Sequence, residues 1–224
     1  MYVFVNDRVD KLLAIGRDHS SCSPPAVGLQ SEERSARGDV NRQATLFSAP
    51  ASLAAARHLA WLRVLVVGSA GAGKTTFALR LAELLDLPLI HLDFEYWRPG
   101  WQPTPSEEWP IRVDELIAGE AWVMDGNYGG TMERRLARAD AAVFLDVHRV
   151  RCLWRVLVRS LRYWRRSRPD LPSGCHERFD WGFFAWVWTY GRRSRGRAID
   201  LLAGSGLPVV HLRSKREADR WLTT

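Results

Sequence analysis

The chain has 224 residues, of which 32 are basic and 25 acidic, so its formal net charge is +7. This length allows one domain of ordinary size with an appendage, or two very small domains. The three cysteines, Cys22, Cys152 and Cys175, are widely spaced and form no Cys-x-x-Cys pair, which excludes a disulfide scaffold and a zinc ribbon. The chain also shows no secretory signal and no apolar run long enough to cross a bilayer, which favours a cytoplasmic protein with no membrane partner.

Residues 1–58 are predicted to form an N-terminal extension, because no cluster of chemically reactive side chains lies among them. Between residues 20 and 50 the chain is rich in Ser, Pro, Gly, Gln and charged residues without hydrophobic periodicity, a composition typical of disorder. Short regular elements are predicted within residues 2–15 and 52–62. Residues 59–224 are predicted to form the folded domain, and the motifs described below lie there.

From residue 61 onward, short apolar runs alternate with helical patterns. The runs predict buried strands at residues 63–67, 87–92, 121–125, 141–146 and 208–212. Helices are predicted at residues 74–85, 107–118 and 131–139, and a capping box at Ser214 and Glu217 opens a last helix. This alternation indicates an α/β fold of three layers, in which a five-stranded parallel sheet is covered by helices on both faces.

The segment after the first predicted strand carries a phosphate-binding motif. Residues 68–75 read GSAGAGKT, which fills every position of the pattern GxxxxGK[ST] between a strand and a helix. Glycines let several backbone N–H groups converge on phosphate oxygens, and the following helix adds its positive N-terminal end. The predicted nucleotide-binding loop of a P-loop NTPase consists of Gly68, Ser69, Ala70, Gly71, Ala72, Gly73, Lys74, Thr75 and Thr76. Lys74 is the predicted catalytic contact to the β- and γ-phosphates of ATP, and Thr75 is a predicted ligand of Mg²⁺.

Three aspartates fall at the carboxyl ends of predicted strands, where ligands collect in an open parallel sheet. One of them is expected to orient Mg²⁺ or its water, and another to accept a proton from a substrate hydroxyl. Asp93 is the predicted acceptor contact or catalytic base. Asp125 is supported by its neighbours, because Gly126 permits close backbone approach while Asn127 and Tyr128 can hydrogen-bond to the acceptor. Asp146 is the weakest of the three candidates, because it can simply cap the following helix.

The connection that follows Asp93 is rich in aromatic residues, namely Phe94, Tyr96, Trp97, Trp101 and Trp109. One interpretation is an acceptor pocket, in which a ring stacks on side chains such as Trp97 while Arg98 meets an anion. The other interpretation, of equal weight, is a small hydrophobic cluster beneath a loop.

One segment makes the protein basic, because residues 149–197 contain 13 arginines and only three acids, a local charge of +10. Positions 151, 155, 159, 162 and 166 are arginines, a spacing that places them on one face of a helix. The side chains predicted to lie largely on the other face are Leu153, Val156, Leu157, Ser160, Leu161 and Trp164. The predicted lid arginines are Arg149, Arg151, Arg155, Arg159 and Arg162. We expect phosphates to neutralise them, with Arg155 and Arg159 as catalytic residues. A solvated helix face is the alternative.

A second helix, from about residue 177, is predicted to complete a helical hairpin inserted between the fourth and fifth strands. Closure of this arginine-rich hairpin would exclude water and bring cations to the transferring phosphoryl group. Its five tryptophans are predicted to form the hairpin core rather than a surface on which nucleic-acid bases stack. They are Trp154, Trp164, Trp181, Trp186 and Trp188.

From about residue 63 to residue 222 the chain resembles the DNA topology modulation proteins, a family of adenylate-kinase-like P-loop proteins. The resemblance rests on the segments VGSAGAGKT (67–75), HLDFEYWRPGW (91–101), MDGNY (124–128) and CLWR (152–155). It implies an adenylate-kinase-like fold, a Mg²⁺-water or substrate role for Asp125, and lid arginines in the neighbourhood of Arg149, Arg155 and Arg159. The acceptor segment lacks the nucleoside-monophosphate pattern of adenylate kinase itself, which argues against AMP as the acceptor.

Two functions are compatible with these patterns. The favoured one is an ATP- and Mg²⁺-dependent phosphotransferase that acts on a small-molecule or nucleotide acceptor of unspecified identity. The alternative is a regulator that binds nucleic acid and uses ATP as a switch, which the arginine- and tryptophan-rich segment and the family resemblance support. Nucleic acid is the less favoured partner, because no helix-turn-helix, zinc-finger or RNA-binding sheet signature is present. The sequence leaves the oligomeric state open.

Overall fold

The computed structural model describes residues 50, 52–59, 61–166, 168, 170–177 and 179–224. Its main sheet is built from β1 (Arg63–Gly68), β2 (Leu89–His91), β5 (Trp122–Asp125), β6 (Ala141–Leu145) and β7 (Val209–Leu212). These five strands are parallel and lie in the order β2-β5-β1-β6-β7. The predicted five-stranded parallel sheet is confirmed, and each predicted strand boundary lies within two residues of the observed one.

A separate antiparallel hairpin, whose strands the sequence did not predict, consists of β3 (Trp97–Arg98) and β4 (Gln102–Pro103). The described helices are α1 (Leu53–Arg57), α2 (Lys74–Leu85), α3 (Leu92–Tyr96), α4 (Glu108–Ile117), α5 (Met132–Leu136), α6 (Arg149–Arg162), α7 (Trp181–Arg193), α8 (Arg195–Gly204) and α9 (Lys215–Thr223). None of these helices combines the length and the apolar content that a membrane crossing requires.

Side chains at two helix starts fix where those helices begin. The Ser214 hydroxyl accepts a hydrogen bond from the Glu217 N–H at 3.2 Å, which confirms the predicted cap of α9. At α7 the Asp180 carboxylate accepts from the Phe183 N–H at 3.1 Å. Because a capping side chain satisfies an N–H group that has no partner within the helix, α7 begins after Asp180 rather than near residue 177 as predicted.

Two apolar cores lie on opposite faces of the sheet. Val64 and Val66 of β1 belong to one core, with side chains from α2 and α9. Leu65 and Val67 point the other way and belong to the second core, with side chains from α4, α5 and α8. This alternation follows from the two-residue period of a strand. The molecule therefore has the three-layer α/β architecture of the P-loop NTPases, as predicted.

The end of the predicted N-terminal extension lies against this domain. Leu53 and Ala56 of α1 are buried in the first core, and the indole N–H of Trp221 donates to the Pro50 carbonyl at 3.0 Å. The earlier part of the extension, with its predicted disorder, its segment at residues 2–15 and Cys22, lies outside the described residues. The other two cysteines, Cys152 and Cys175, are buried and not paired.

Candidate active site

A cleft of about 630 Å³ opens beyond the carboxyl ends of β1, β2 and β5. The connection from β1 to β2 lies on one face of the sheet. The connection from β5 to β6, which passes over β1, lies on the opposite face. Ligands bind at such points of reversal in open α/β sheets, because the loops after neighbouring strands diverge there. The P-loop and residues that follow β2 and β5 line this cleft.

The predicted nucleotide-binding residues form a tight loop between β1 and α2. Gly71 has a φ of +76°, and a side chain there would collide with the carbonyl oxygen of Cys152 on α6. Only glycine satisfies both conditions. The Lys74 ammonium donates to the Ser69 carbonyl at 3.1 Å across the loop. Residues 70, 71 and 73–76 line the cleft, while residues 68, 69 and 72 are not among its lining residues.

The two predicted Mg²⁺ ligands lie together at the foot of the loop. The Thr75 hydroxyl donates to Asp125 Oδ2 at 2.7 Å. Asp125 Oδ1 is buried and has no hydrogen-bond partner among the described residues, so this carboxylate oxygen is available to bind a cation or a hydrogen-bond donor. His91 Nδ1 lies 3.4 Å from Asp125 Oδ2, and this carboxylate raises the pKa of His91.

Hydroxyl and carboxylate oxygens are the donors that Mg²⁺ prefers, so this pair fits the ion. The described residues contain no group of three or more His, Cys, Asp or Glu side chains that could hold a metal ion. A Mg²⁺ ion at Thr75 and Asp125 would therefore take its remaining oxygens from phosphates and water, which is its usual arrangement in nucleotide sites.

The part of the lining that we call the acceptor end consists of Asp93, Tyr96, Trp97, Tyr128, Arg168 and Asp170. Asp93 lies in the first turn of α3 rather than at the tip of β2. Its Oδ1 accepts a hydrogen bond from the Tyr128 hydroxyl at 2.7 Å. Asp93 and Tyr128, which the sequence assigned to the acceptor, are thus in direct contact.

The aromatic connection forms a hydrophobic cluster, as the second interpretation predicts, and Tyr96 and Trp97 also line the cleft, as an acceptor pocket would require. The Tyr96 ring lies 4.8 to 5.0 Å from the rings of Trp97, Trp109 and Tyr128, and all four side chains are buried. Burial raises the pKa of the Tyr96 hydroxyl to about 12, so this wall is neutral at physiological pH.

Two predicted candidates lie away from the cleft. Arg98 is half exposed, forms an ion pair with Glu108 at 2.5 Å and does not line the cleft. Asp146 does not cap α6, which His148 precedes. Its carboxylate instead accepts two hydrogen bonds from Arg195, at 2.8 and 2.6 Å, and lies 3.0 Å from His211 Nε2. Asp146 is therefore a structural carboxylate.

Arg135 on α5 was missed by the sequence analysis. Its side chain is completely buried, and its guanidinium donates to the carbonyls of Gly126, Asn127, Tyr128 and Thr131. Burial lowers the pKa of Arg135 to about 9. One buried arginine therefore holds the loop after β5 in place through hydrogen bonds to its carbonyl groups. The same loop presents the Asn127 amide oxygen to the Gly68 N–H of the P-loop at 2.9 Å.

The predicted lid arginines divide into two groups. Arg155 donates to the Gly71 and Ala72 carbonyls of the P-loop at 3.3 and 3.1 Å. Arg159, one turn later, lies 3.3 Å from a carboxylate oxygen of Glu177, and both arginines line the cleft. Arg149, Arg151 and Arg162 are exposed and do not line it, so the arginine face was predicted too wide.

The buried stripe of α6 explains this division. Cys152, Val156 and Ser160, spaced by four residues, face the domain, and their small or slender side chains allow the close approach to Gly71. Arg155 and Arg159 flank the stripe. The apolar face predicted opposite the arginines is correct in part: Val156 and Ser160 are buried and Leu153 and Leu157 are half-buried, but Leu161 and Trp164 are exposed.

The prediction that the five tryptophans form a hairpin core is wrong for four of them. Trp154, Trp164, Trp181 and Trp188 are all exposed, with Trp181 the most exposed at 76%. Trp188 carries the Arg149 guanidinium 4.1 Å above its ring. Only Trp186 is partly buried, and it lines the cleft with Phe183.

The connection between α6 and α7 adds a charged cluster that the sequence analysis also missed. Arg168 donates to both carboxylate oxygens of Asp170, and its remaining nitrogen lies 3.4 Å from Glu177 Oε2. Burial opposes the charge on Arg168, but the bonds to Asp170 and the charge of Glu177 raise the pKa of Arg168 above its usual value. The Trp101 indole N–H also donates to the His176 carbonyl at 2.9 Å, which joins this connection to the β3–β4 hairpin across the acceptor end.

No protein-family model matches the chain, and no curated protein matches it. Among solved structures, the shikimate kinase of Bacteroides thetaiotaomicron is 21% identical over 71% of this chain and 93% of its own, with a TM-score of 0.43. A shikimate kinase from Acinetobacter baumannii in complex with shikimate is 19% identical over 70% and 87% of the two chains, with a TM-score of 0.45. For a gluconokinase from Sinorhizobium meliloti the identity is 17%, the coverages 69% and 87%, and the TM-score 0.40. At this level of similarity the fold assignment rests on the strand order and the P-loop, and the resemblance to the topology modulation proteins stays a prediction.

Proposed function

We propose that this protein is an ATP-dependent phosphotransferase that moves the γ-phosphoryl group of ATP to a hydroxyl of a small acceptor. The observation that carries the proposal is one cleft that is lined by the P-loop, by the bonded pair of Thr75 and Asp125, and by Asp93 bonded to Tyr128. Nucleotide phosphates and an acceptor hydroxyl would meet between these groups of residues.

The residues of the cleft have separate roles in binding and catalysis. Backbone N–H groups of the P-loop and the Lys74 ammonium would bind the β- and γ-phosphates. Mg²⁺ at Thr75 and Asp125 would supply positive charge to the same phosphates. The acceptor oxygen forms the new bond to phosphorus, the bond to the β–γ bridging oxygen breaks and ADP leaves. Asp93 takes the hydroxyl proton, and the Tyr128 hydroxyl holds that carboxylate in place.

Arg155 and Arg159 would contribute charge on the lid side. Arg155 already contacts the P-loop backbone, and the side chain of Arg159 lines the cleft one turn further along α6. Guanidinium groups in a water-poor cleft stabilise the charge that spreads over the transferring phosphoryl oxygens. The half-buried position of both side chains supports this role over that of a solvated helix face.

The test is a screen of ADP release from ATP and Mg²⁺ in the presence of nucleosides, sugars, polyols and amino alcohols. Lys74→Ala is expected to abolish acceptor-dependent ADP release without unfolding the protein. Lys215→Ala is the matched control, because Lys215 is exposed on α9 and pairs with Asp219 at 2.5 Å. Full acceptor-dependent activity in Lys74→Ala would contradict the proposal.

A second candidate, an ATP-switched regulator that binds nucleic acid, is favoured by one observation. Exposed arginines and four exposed tryptophans lie together in the segment from α6 to α8, outside the cleft. Aromatic rings and guanidinium groups are the side chains that bind single-stranded nucleic acid without sequence preference. A regulator requires that ATP change this binding, which separates it from the kinase experimentally.

A further inference from the structure

Resting on the phosphotransferase proposed above, we infer that the acceptor carries no negative charge: it is a neutral or amine-bearing compound with several hydroxyl groups and one apolar face. The inference comes from the acceptor end of the cleft, whose charges and ring faces are arranged differently from those of a site for a carboxylate or a phosphate.

Carboxylates outnumber arginines around the acceptor end. Asp93 and Asp170 line it, and the buried Glu177 faces Arg159 and Arg168. Carboxylates accept hydrogen bonds from hydroxyl and ammonium groups but have no donor for another carboxylate. An anionic acceptor would add a further negative charge beside Asp93 and Asp170, where repulsion between like charges opposes binding.

The arginines near these carboxylates already have acidic partners. Each guanidinium nitrogen of Arg168 has a carboxylate oxygen of Asp170 or Glu177 as a partner, and Arg159, which also lines the cleft, lies 3.3 Å from Glu177. An acidic acceptor would have to displace Asp170 from a largely buried pair, which costs more than binding to an exposed cation. Arg98, the sequence candidate for an anion contact, pairs with Glu108 outside the cleft.

The walls supply the apolar contact. Tyr96, Trp97 and Tyr128 form the wall beside Asp93, and Phe183 and Trp186 of α7 also line the cleft. Aromatic faces bind the apolar side of a ring, and they attract an ammonium group through their negative faces. A compound whose hydroxyl groups contact the carboxylates and whose apolar ring face packs on the aromatic wall would therefore fit both surfaces.

The experiment compares matched acceptors that differ only in charge. Each pair contains a neutral or amine-bearing polyol and its acidic counterpart, such as a nucleoside and its monophosphate, a hexitol and its hexonic acid, or shikimate methyl ester and shikimate. ADP release is measured with ATP and Mg²⁺, and binding of a non-hydrolysable ATP analogue is measured in parallel. We expect kcat/KM for the uncharged or amine-bearing member to exceed that of the acidic member at least tenfold.

Asp170→Asn is expected to narrow or reverse this preference, because it removes one negative charge and releases two nitrogens of Arg168. Asp114→Asn is the matched control, since Asp114 pairs with Arg134 on the surface and does not line the cleft. The control variant should keep the wild-type preference. The comparison of matched pairs in the wild-type protein stands by itself if Asp170→Asn does not fold.

The outcomes separate this inference from the proposed function. Equal or better use of the acidic members by the wild-type protein overturns the inference but leaves the phosphotransferase intact. Binding of the ATP analogue without turnover of any member also overturns it, since the panel spans the proposed class. Loss of both analogue binding and turnover contradicts the phosphotransferase itself.

Discussion

Arg135 shows how one residue can organise a site without entering it. Its partners are backbone carbonyls of residues 126–128 and 131, and these fix the loop between β5 and α5. The burial of Arg135 and its carbonyl partners cannot be recognised from sequence, because an arginine on a short helix is expected to lie at the surface. Tertiary packing, rather than local pattern, determines its role.

Arg135→Met is expected to lower the free energy of unfolding by at least about 2 kcal/mol, because each buried carbonyl that loses its donor costs roughly 1–3 kcal/mol. It should also reduce turnover, since Tyr128 and Asp125 lose their fixed backbone. Urea unfolding and ADP release measure the two effects. Arg134→Met is the control, as Arg134 is exposed and pairs only with Asp114 in the described interactions. An equal loss in both variants would contradict the role of Arg135.

Asp93 and Tyr128 are expected to differ in how much they contribute to turnover. Asp93→Asn removes the proposed base and should lower kcat by roughly 10²–10⁴-fold, the range typical of general-base catalysis. Tyr128→Phe removes only the hydrogen bond that orients Asp93 and should cost less. Neither change should alter the affinity for an ATP analogue, because both residues lie at the acceptor end. Turnover of Asp93→Asn within twofold of wild type would rule out this role.

At the scale of the helices and strands, prediction succeeded where the pattern is local. Strands β1 and β6 are buried apolar runs, and α2 begins at the residue that the P-loop motif specifies. It failed where orientation depends on a neighbour. The predicted apolar face of α6 extends to Leu161 and Trp164, which are exposed, because the close approach of Gly71 selects the face with Cys152, Val156 and Ser160. The β3–β4 hairpin is too short for a detectable pattern.

The Asp146 carboxylate connects the end of β6 to α8 and β7. Burial opposes its charge, but the hydrogen bonds from Arg195 and His211 and their charges lower the pKa of Asp146 well below its ordinary value. A carboxylate with a lowered pKa stabilises the folded state above the pKa of the unfolded chain, near 3.9. That contribution is lost progressively as the pH falls from about 4 toward the lowered pKa of the folded state, because the unfolded chain takes up the proton first.

Asp146→Asn is expected to lower the free energy of unfolding by roughly 2 kcal/mol at pH 6, because it leaves a partly buried arginine without its charge partner. The difference between wild type and variant should shrink below about pH 4. Urea unfolding at several pH values measures it. Asp219→Asn is the control, since Asp219 also pairs with two cations but lies on the surface. A difference that stays constant down to pH 2.5 would contradict the argument.

At the scale of the whole molecule, the net charge of +7 has two origins. Four arginines of the segment 149–197 lie within the fold, with Arg155, Arg159 and Arg168 at the cleft and Arg195 bound to Asp146. Most of the others that the structure describes are exposed, including Arg149, Arg151, Arg162, Arg165 and Arg166. The charge is therefore only partly that of a phosphate-binding lid. The larger part forms an external basic surface with exposed tryptophans.

This basic surface predicts weak binding of single-stranded DNA that ATP does not control. Log affinity should fall linearly with log salt concentration, with a slope of about −0.7 for each phosphate contacted. The triple variant Arg151→Gln, Arg162→Gln and Arg166→Gln should reduce the slope but leave binding of an ATP analogue unchanged, because these side chains do not line the cleft. Fluorescence anisotropy with a labelled oligonucleotide, with and without the analogue, measures both the DNA affinity and its salt dependence.

The ATP analogue is expected to change the DNA affinity less than twofold, since the exposed arginines and the P-loop bind separate ligands. A tenfold change would instead favour the nucleic-acid regulator over the kinase.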